Sequence, residues 1–214
     1  MSEEKKNILI VGCGPGAAEH ITPAARAAAG KADVLIVSQR LKDLFPEVAA
    51  ERIDSGTDIA GTLDIIASRR DDGRQVVLLT TGDPGLASLA QPVILRFGRE
   101  NCEVIPGISS IQIAFARLGL EWQDVRIVTA HGSDPEESAE ELRGCDKIAI
   151  LGGQPDSLRR AAGMIPELGK DRRIFLCEEL TLPGEKIREI RVDDLLRGPV
   201  SSRSIVLVIR RKLL

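Results

Sequence analysis

The chain has no tyrosine, one tryptophan and four phenylalanines, so aromatic residues make up 2% of its 214 positions. Platforms on which nucleic-acid bases stack are therefore scarce, and the core falls to Leu, Ile, Val and Ala, which suits layered α/β packing. Histidine is nearly absent as well, with only His20 and His131. Cys13, Cys102, Cys145 and Cys177 lie far apart with no Cys-x-x-Cys pair, so no metal site is expected. They read as four buried thiols of a cytoplasmic protein. No Lys/Arg block exceeds three residues and the net charge is −3, which speaks against broad nucleic-acid or membrane-surface binding. The longest apolar runs, Ile8–Val11, Val34–Val37 and Val76–Leu79, fall far short of the ~20 residues of a bilayer span. Met1–Asn7 is polar and leads straight into a strand pattern, so no secretion signal is read.

What is present is an ordinary globular balance, 43% hydrophobic and 29% charged. The first half alternates strand and helix signals. Ile8–Val11 is a continuous apolar run, as a strand buried on both faces requires. Thr22-Pro23 reads as an N-cap with proline at the first helical position, and Gly30 ends that helix. Val34–Val37, Val76–Leu79 and Glu103–Ile105 are further strands. Helices are expected over Ile59–Ser68, from Pro92 to Arg99, and over Ser109–Leu118. Repeated β-α units imply a mainly parallel sheet. Beyond Gly119–Val125 the pattern changes to five strands: Arg126–Thr129, Lys147–Leu151, Arg173–Cys177, Lys186–Val192 and Ser204–Arg210. Helices are expected around Ser138–Arg143 and Ser157–Leu168. The short stretch between the last two strands suggests that they pair antiparallel. The expectation is two α/β domains, residues 1–118 and 119–214, the second with a mixed sheet.

Three Gly/Pro-rich loops follow first-domain strands: Gly12-Cys13-Gly14-Pro15-Gly16, Gly82-Asp83-Pro84-Gly85 and Pro106-Gly107-Ile108-Ser109-Ser110. Ligands in open α/β sheets bind outside such strand ends, so the loops predict one crevice, here placed between the two domains. Gly12-x-Gly14-x-x-Ala17 also matches a dinucleotide fingerprint. Against it, Thr22-Pro23 starts the helix about eight residues late, and Ser38-Gln39-Arg40 stands where an acidic residue belongs. Arg40 could serve a 2′-phosphate, so an NAD(P)-dependent oxidoreductase stays open, as does a non-catalytic sensing module.

Taken together and in order, Gly12-x-Gly14-Pro15-Gly16 with Thr22-Pro23, Thr81-Gly82-Asp83-Pro84, and Ile105-Pro106-Gly107-Ile108-Ser109-Ser110 resemble the tetrapyrrole (corrin/porphyrin) methylase family. Ala32-Asp33-Val34, Gln39-Arg40-Leu41, Leu44-Phe45-Pro46 and the run Ile108–Asp124 are similar to the branch that methylates carbon 5 of a (cobalt-)precorrin in cobalamin biosynthesis. The resemblance implies a two-domain, non-Rossmann fold and S-adenosyl-L-methionine as methyl donor. It further implies a precorrin-type substrate and a homodimer, with a sister methylase acting on another macrocycle carbon as the alternative. It carries cofactor contacts onto Pro15, Thr81, Gly82, Asp83, Leu86, Ser109, Ser110, Leu151 and Ile190. Some relatives fuse a second methyltransferase domain. This chain ends soon after Ser204–Arg210, so a separate protein is expected to methylate carbon 15.

Direct displacement at an activated methyl needs no protein nucleophile. A base could still shape the ring's electron density, with His131 the first candidate, then Glu19 and His20. Arg40, Arg117 and Arg126 are the candidates for a basic rim facing substrate carboxylates. Each has a plainer reading. Pro15 stiffens a turn, Asp83 forms an Asx-turn onto the Gly85 N–H, Ser109 caps a helix and Leu151 is core. On that reading His131 is a loop residue and the arginines are solvated charges. After Gly-Asp-Pro the family often has large apolar residues, whereas this chain has Gly85-Leu86-Ala87-Ser88.

Overall fold

The computed structural model describes residues 6–130, 135, 137–153 and 155–214. They form two compact units, one running to Ser109 and the other spanning Ser110–Leu214.

The first unit holds β1 (Ile8–Gly12), β2 (Val34–Val37), β3 (Glu51–Asp54), β4 (Val76–Thr80) and β5 (Cys102–Ile105) in one sheet. All strands are parallel and the order is β3-β2-β4-β1-β5. Its helices are α1 (Pro23–Ala29), α2 (Ile59–Asp71) and α3 (Ala90–Phe97). The Thr22 hydroxyl accepts from the Ala25 N–H at 3.1 Å, and Asp58 caps α2 through the Gly61 N–H at 3.0 Å. Pro92 sits in the first turn of α3, where a helix has no use for its N–H.

Alternate strand residues face opposite ways. Leu9, Val11, Leu35, Val37, Val77 and Leu79 pack with Ala25, Ala28 and Ala29 of α1. Ile8, Ile10, Val34, Ile36, Val76 and Leu78 pack with Ile66 of α2 and Val93 of α3. Each such side chain, fully buried, contributes about 1.5–3 kcal/mol. Strand β3 escaped the sequence reading because it is an edge strand of alternating half-buried and exposed residues, with no apolar run to announce it.

β1 and β4 are neighbours, yet β1 leads out to β2 on one side and β4 leads to β5 on the other. Their C-terminal ends are a topological switch point, the position where connecting chains part and leave room for a ligand.

The second unit starts with α4 (Ser110–Leu118), which packs against β10 (Ser204–Arg210). The expected boundary at 118/119 therefore moves to Ser109/Ser110, because the partner of this helix lies in the second sheet. That sheet also contains β6 (Arg126–Ala130), β7 (Lys147–Gly152), β8 (Arg172–Glu178) and β9 (Lys186–Ile190), in the order β6-β7-β10-β8-β9. β6 and β7 are parallel and the other pairs antiparallel, so the sheet is mixed.

β9 and β10 do not pair with each other as expected. β8 lies between them, and α7 (Val192–Arg197) fills the connection that reads as a turn. α5 (Ala139–Arg143) opens with a capping box in which Ser138 and Glu141 bond reciprocally. The helix expected over Ser157–Leu168 divides into α6 (Pro155–Ala162) and a 3-10 turn, Ile165–Leu168. Pro166 lacks the N–H that would bond back to Ala162.

Cys13 and Cys177 are buried, but Cys102 and Cys145 are only half-buried, against the expectation for all four. Among the described residues no helix is long and apolar enough to cross a membrane.

Candidate functional site

The three glycine loops meet at the switch point. Gly14 and Gly82 form an antiparallel bridge, with N–H to carbonyl distances of 3.2 and 2.7 Å. Both glycines have positive φ, +75° and +71°, which a side chain would strain. Pro15 and Thr81 are the chain neighbours of the two bridged glycines.

The third loop closes on the other two without room for a side chain. A Cβ on Gly107 would stand 2.3 Å from the Gly82 carbonyl oxygen and 2.8 Å from the Gly12 carbonyl carbon. A Cβ on Gly12 would stand 2.5 Å from the Gly107 nitrogen. These glycines serve loop-on-loop contact.

Asp83 is half-buried between the second and third loops. Its Oδ1 accepts from the Gly85 N–H at 2.8 Å and its Oδ2 from the Gly107 N–H at 3.0 Å. The Asx-turn onto Gly85 is thus present. The Leu86 N–H donates to the Asp83 carbonyl at 3.2 Å, which folds Leu86 back beside the loop. Ser109 is buried, and a Cβ placed on Gly82 would lie 3.8 Å from its Cα. Ser110 adjoins it as the first residue of α4. Thr81 is exposed, and its hydroxyl makes no hydrogen bond among the described residues.

The first loop runs through a 3-10 turn, Ala18–His20, before α1 begins at Pro23. Arg26 of α1 holds that turn by donating to the Ala18 carbonyl at 2.7 Å. The helix does not open inside the glycine run, so the dinucleotide fingerprint fails on geometry. Cys13 is buried beneath the bridge, and burial pushes its thiol up to about 12, so it offers no thiolate near neutral pH.

The family model for tetrapyrrole (corrin/porphyrin) methylases matches residues 7–196, which takes in all three loops and most of the second sheet. The chain belongs to that family. A cobalt-precorrin-7 C(5)-methyltransferase of Salmonella typhimurium is 33% identical over 186 residues, 86% of this chain and 90% of that protein. A probable cobalt-precorrin-7 C(5)-methyltransferase of Methanocaldococcus jannaschii is 32% identical over 203 residues, 91% of this chain and 93% of its own. Among solved structures, a precorrin-6Y methylase from Archaeoglobus fulgidus superposes with a TM-score of 0.71 at 28% identity. That match covers 95% of this chain and 98% of the other. A uroporphyrin-III C-methyltransferase from Thermus thermophilus, complexed with S-adenosylhomocysteine, has the same fold at TM-score 0.79 and 19% identity, covering 95% of this chain and 97% of that one.

In this tetrapyrrole methylase the remaining candidate residues scatter. Leu151 is buried in β7, and the sheet register carries its row through Ile205 and Cys177 to Ile187. Ile190 pairs with Ile174, three residues further along β9, and packs in the cluster of Ile148, Ile150 and Leu158 on the opposite face. It faces the side of the sheet away from Leu151, and Ile187 and Glu189 are the β9 residues on the Leu151 face.

His131 lies outside the described residues. Glu19 is exposed, its carboxylate 4.0 Å from His20 Nδ1, and that nitrogen is enclosed without a hydrogen bond. Of the expected basic rim, Arg117 is held by Glu185 at 2.7 Å and Arg126 lies 3.6 Å from Glu137, so both charges already have acidic partners. Arg40 is exposed. A groove of about 690 Å³ lined by Glu178, Lys186, Arg188, Pro199, Val200 and Ser201 lies at the β9 edge, on the sheet face away from Leu151.

Proposed function

We propose that this tetrapyrrole methylase transfers a methyl group from S-adenosyl-L-methionine to carbon 5 of a cobalt-precorrin-type macrocycle, in cobalamin biosynthesis. The match along most of the chain to two relatives named for carbon 5 carries the reading. The residues at the switch point fit a methyl donor: a bridged pair of glycines flanked by Pro15 and by an exposed Thr81 whose hydroxyl makes no hydrogen bond among the described residues. Pro15, Thr81, Gly82, Leu86, Ser109 and Ser110 are the proposed contacts, with Leu151 on the adenosine side. When bound, the donor supplies a methyl group on a good leaving group. The protein's share is alignment, which can supply about 7–11 kcal/mol. The loops suit that task, because backbone bonds and glycine contacts fix them before any ligand arrives. Glu19 is the described candidate for moving a proton.

The working form is proposed to be a cytoplasmic homodimer, which sedimentation at micromolar concentration tests. Carbon 15 is proposed to fall to a separate protein. The longer precorrin-6Y C(5,15)-methyltransferase of Mycobacterium tuberculosis is matched over 46% of its length at 26% identity.

Incubation with labelled S-adenosylmethionine and a panel of precorrin intermediates, followed by mapping of the product, decides the reading. One methyl group at carbon 5 is expected. A methyl group at carbon 11 would move the chain toward the C(11)-methyltransferases, one of which is 29% identical. A second methyl group, or carbon dioxide released by the purified chain, would overturn the single-carbon scope.

A further inference from the structure

The groove at the β9 edge is built wholly from the second unit and lies on the sheet face away from Leu151, so the proposed reaction does not use it. At about 690 Å³ it has the size of a small-molecule site. One rim is fixed at both ends. The Gly198 carbonyl accepts from Arg159 at 2.9 Å, and the Ser201 N–H donates to Glu178 Oε1 at 3.2 Å.

Donors outnumber acceptors at this corner of the sheet. Register puts Lys186, Glu178 and Ser204 in one row across β9, β8 and β10. Lys186 is exposed, and its ammonium has no ion pair or hydrogen bond among the described residues. The Val200 N–H on the fixed rim has no acceptor among them either. Ser204 is 4% exposed, and its hydroxyl is unpartnered. Arg188 spends one N–H on Glu178 Oε2 at 2.6 Å and keeps the rest of its donors. Glu178, the carboxylate that lines the groove, therefore has both oxygens taken.

We infer that this groove is a second binding site, for a small monocarboxylate with a short apolar body, whose charge is met by Lys186. Carboxylate oxygens only accept, which is what surplus donors require, and their charge strengthens each bond. One unpaired cation matches one negative charge. The Glu178 carboxylate, held in the same groove, disfavours a dianion such as phosphate. Pro199 and Val200 give the ligand's body an apolar wall. Arg188 is the lesser counter-ion, because Glu178 already neutralises it. Binding there needs no methyl donor and is independent of the proposed reaction.

Titration of the full chain with benzoate, followed by amide NMR, is expected to move the Val200 and Ser201 signals saturably. Benzamide, the same shape without the charge, is expected to bind at least about fivefold more weakly, and phosphate likewise. Lys186→Met keeps most of the side chain's carbon and removes its charge. It is expected to erase the preference for benzoate, which Lys186→Arg restores. The comparison of the three ligands on the parent judges the site even where a variant fails to fold.

Equal affinity for benzoate and benzamide would make the groove merely apolar, and tighter binding of phosphate would make it merely cationic. Either result overturns the inference. So does an unchanged preference in folded Lys186→Met, or no saturation by about 50 mM, which fills even a site of millimolar affinity.

Discussion

The two units hold the C-terminal ends of their strands by different means. In the first, the loops beyond β1, β4 and β5 are fixed by backbone: the Gly14–Gly82 bridge and three glycines in mutual contact. In the second, ion pairs brace the sheet. Arg173 pairs with Glu189, Arg188 with Glu178 at 2.6 Å, and Arg210 and Lys212 grip Asp146 at 2.8 and 2.6 Å. Backbone contact tolerates no added atom, whereas exposed ion pairs contribute little each and exchange partners cheaply. The first unit is therefore built to hold a fixed shape at its loops, and the second tolerates variation at its surface.

The strongest way to break this contrast is Gly107→Ala. Its new methyl group would meet backbone at 2.3 Å, and backbone cannot rotate aside. Overpacking of that kind is expected to cost about 3 kcal/mol and to abolish binding of the methyl donor. Urea unfolding and calorimetry measure both, and a cost below about 1 kcal/mol would show that the loops give way.

Next comes Arg172→Met in the second unit. Arg172 is 8% exposed and donates to the Leu168 carbonyl at 3.2 Å and the Arg143 carbonyl at 3.0 Å. Burial lowers its pKa, with Arg210 adding to that shift. Methionine fills the space but leaves the Leu168 carbonyl short of that partner, for an expected loss of about 2 kcal/mol. An unchanged denaturation midpoint would place Arg172 among the dispensable surface charges.

The same contrast explains what the sequence made legible. Three strands of the first unit, β1, β2 and β4, are unbroken apolar runs and stand out, and glycine and proline mark the loops after β1, β4 and β5. Tertiary pairing is invisible in such patterns. Nothing in Lys186–Ile190 says that it pairs with β8 and not with β10, and without that register Ile190 passes for a neighbour of Leu151. Strand alternation is the available signal, since Ile187 and Ile190 differ by an odd step and must face opposite ways. The charges of Arg117 and Arg126 read as free because their partners, Glu185 and Glu137, are distant or unremarkable in sequence. The loops of the candidate site were legible, and what sheet register decides was not.

A smaller effect compares one buried thiol from each unit. Burial raises both Cys13 and Cys177 to about 12 from 9.0. Their protonated form is favoured by folding, so this contribution is intact below pH 9 and is lost as pH rises from about 9 toward 12. Each thiol is expected to cost about 1 kcal/mol of stability by pH 10. Urea titrations at pH 8 and pH 10 check this, and Cys13→Ala with Cys177→Ala should flatten the difference. At pH 8 a disulfide reagent is expected to reach the half-buried Cys102 and Cys145 before the other two. Rapid labelling of Cys13 would mean that the loops open far more readily than their contacts imply.

The smallest expected effect is Gly144→Ala, the counterpart in the second unit to the change at Gly107. Gly144 ends α5 with φ −74° and ψ −19°, a conformation alanine adopts without strain. A Cβ there meets nothing within 4 Å, and the residue is exposed. No contact is lost, and the backbone N–H bond to the Leu142 carbonyl survives the change. What alters is the unfolded chain, which has fewer conformations to give up once the glycine is gone. The variant is therefore expected to be more stable by about 0.4–1 kcal/mol, with binding of the methyl donor unchanged. A thermal midpoint raised by a few degrees would show that glycine at this position is a habit of the chain and not a demand of the structure. A lowered midpoint would mean that the end of α5 is packed as closely as the loops of the first unit, and the contrast between the two units would then fail where it is easiest to see.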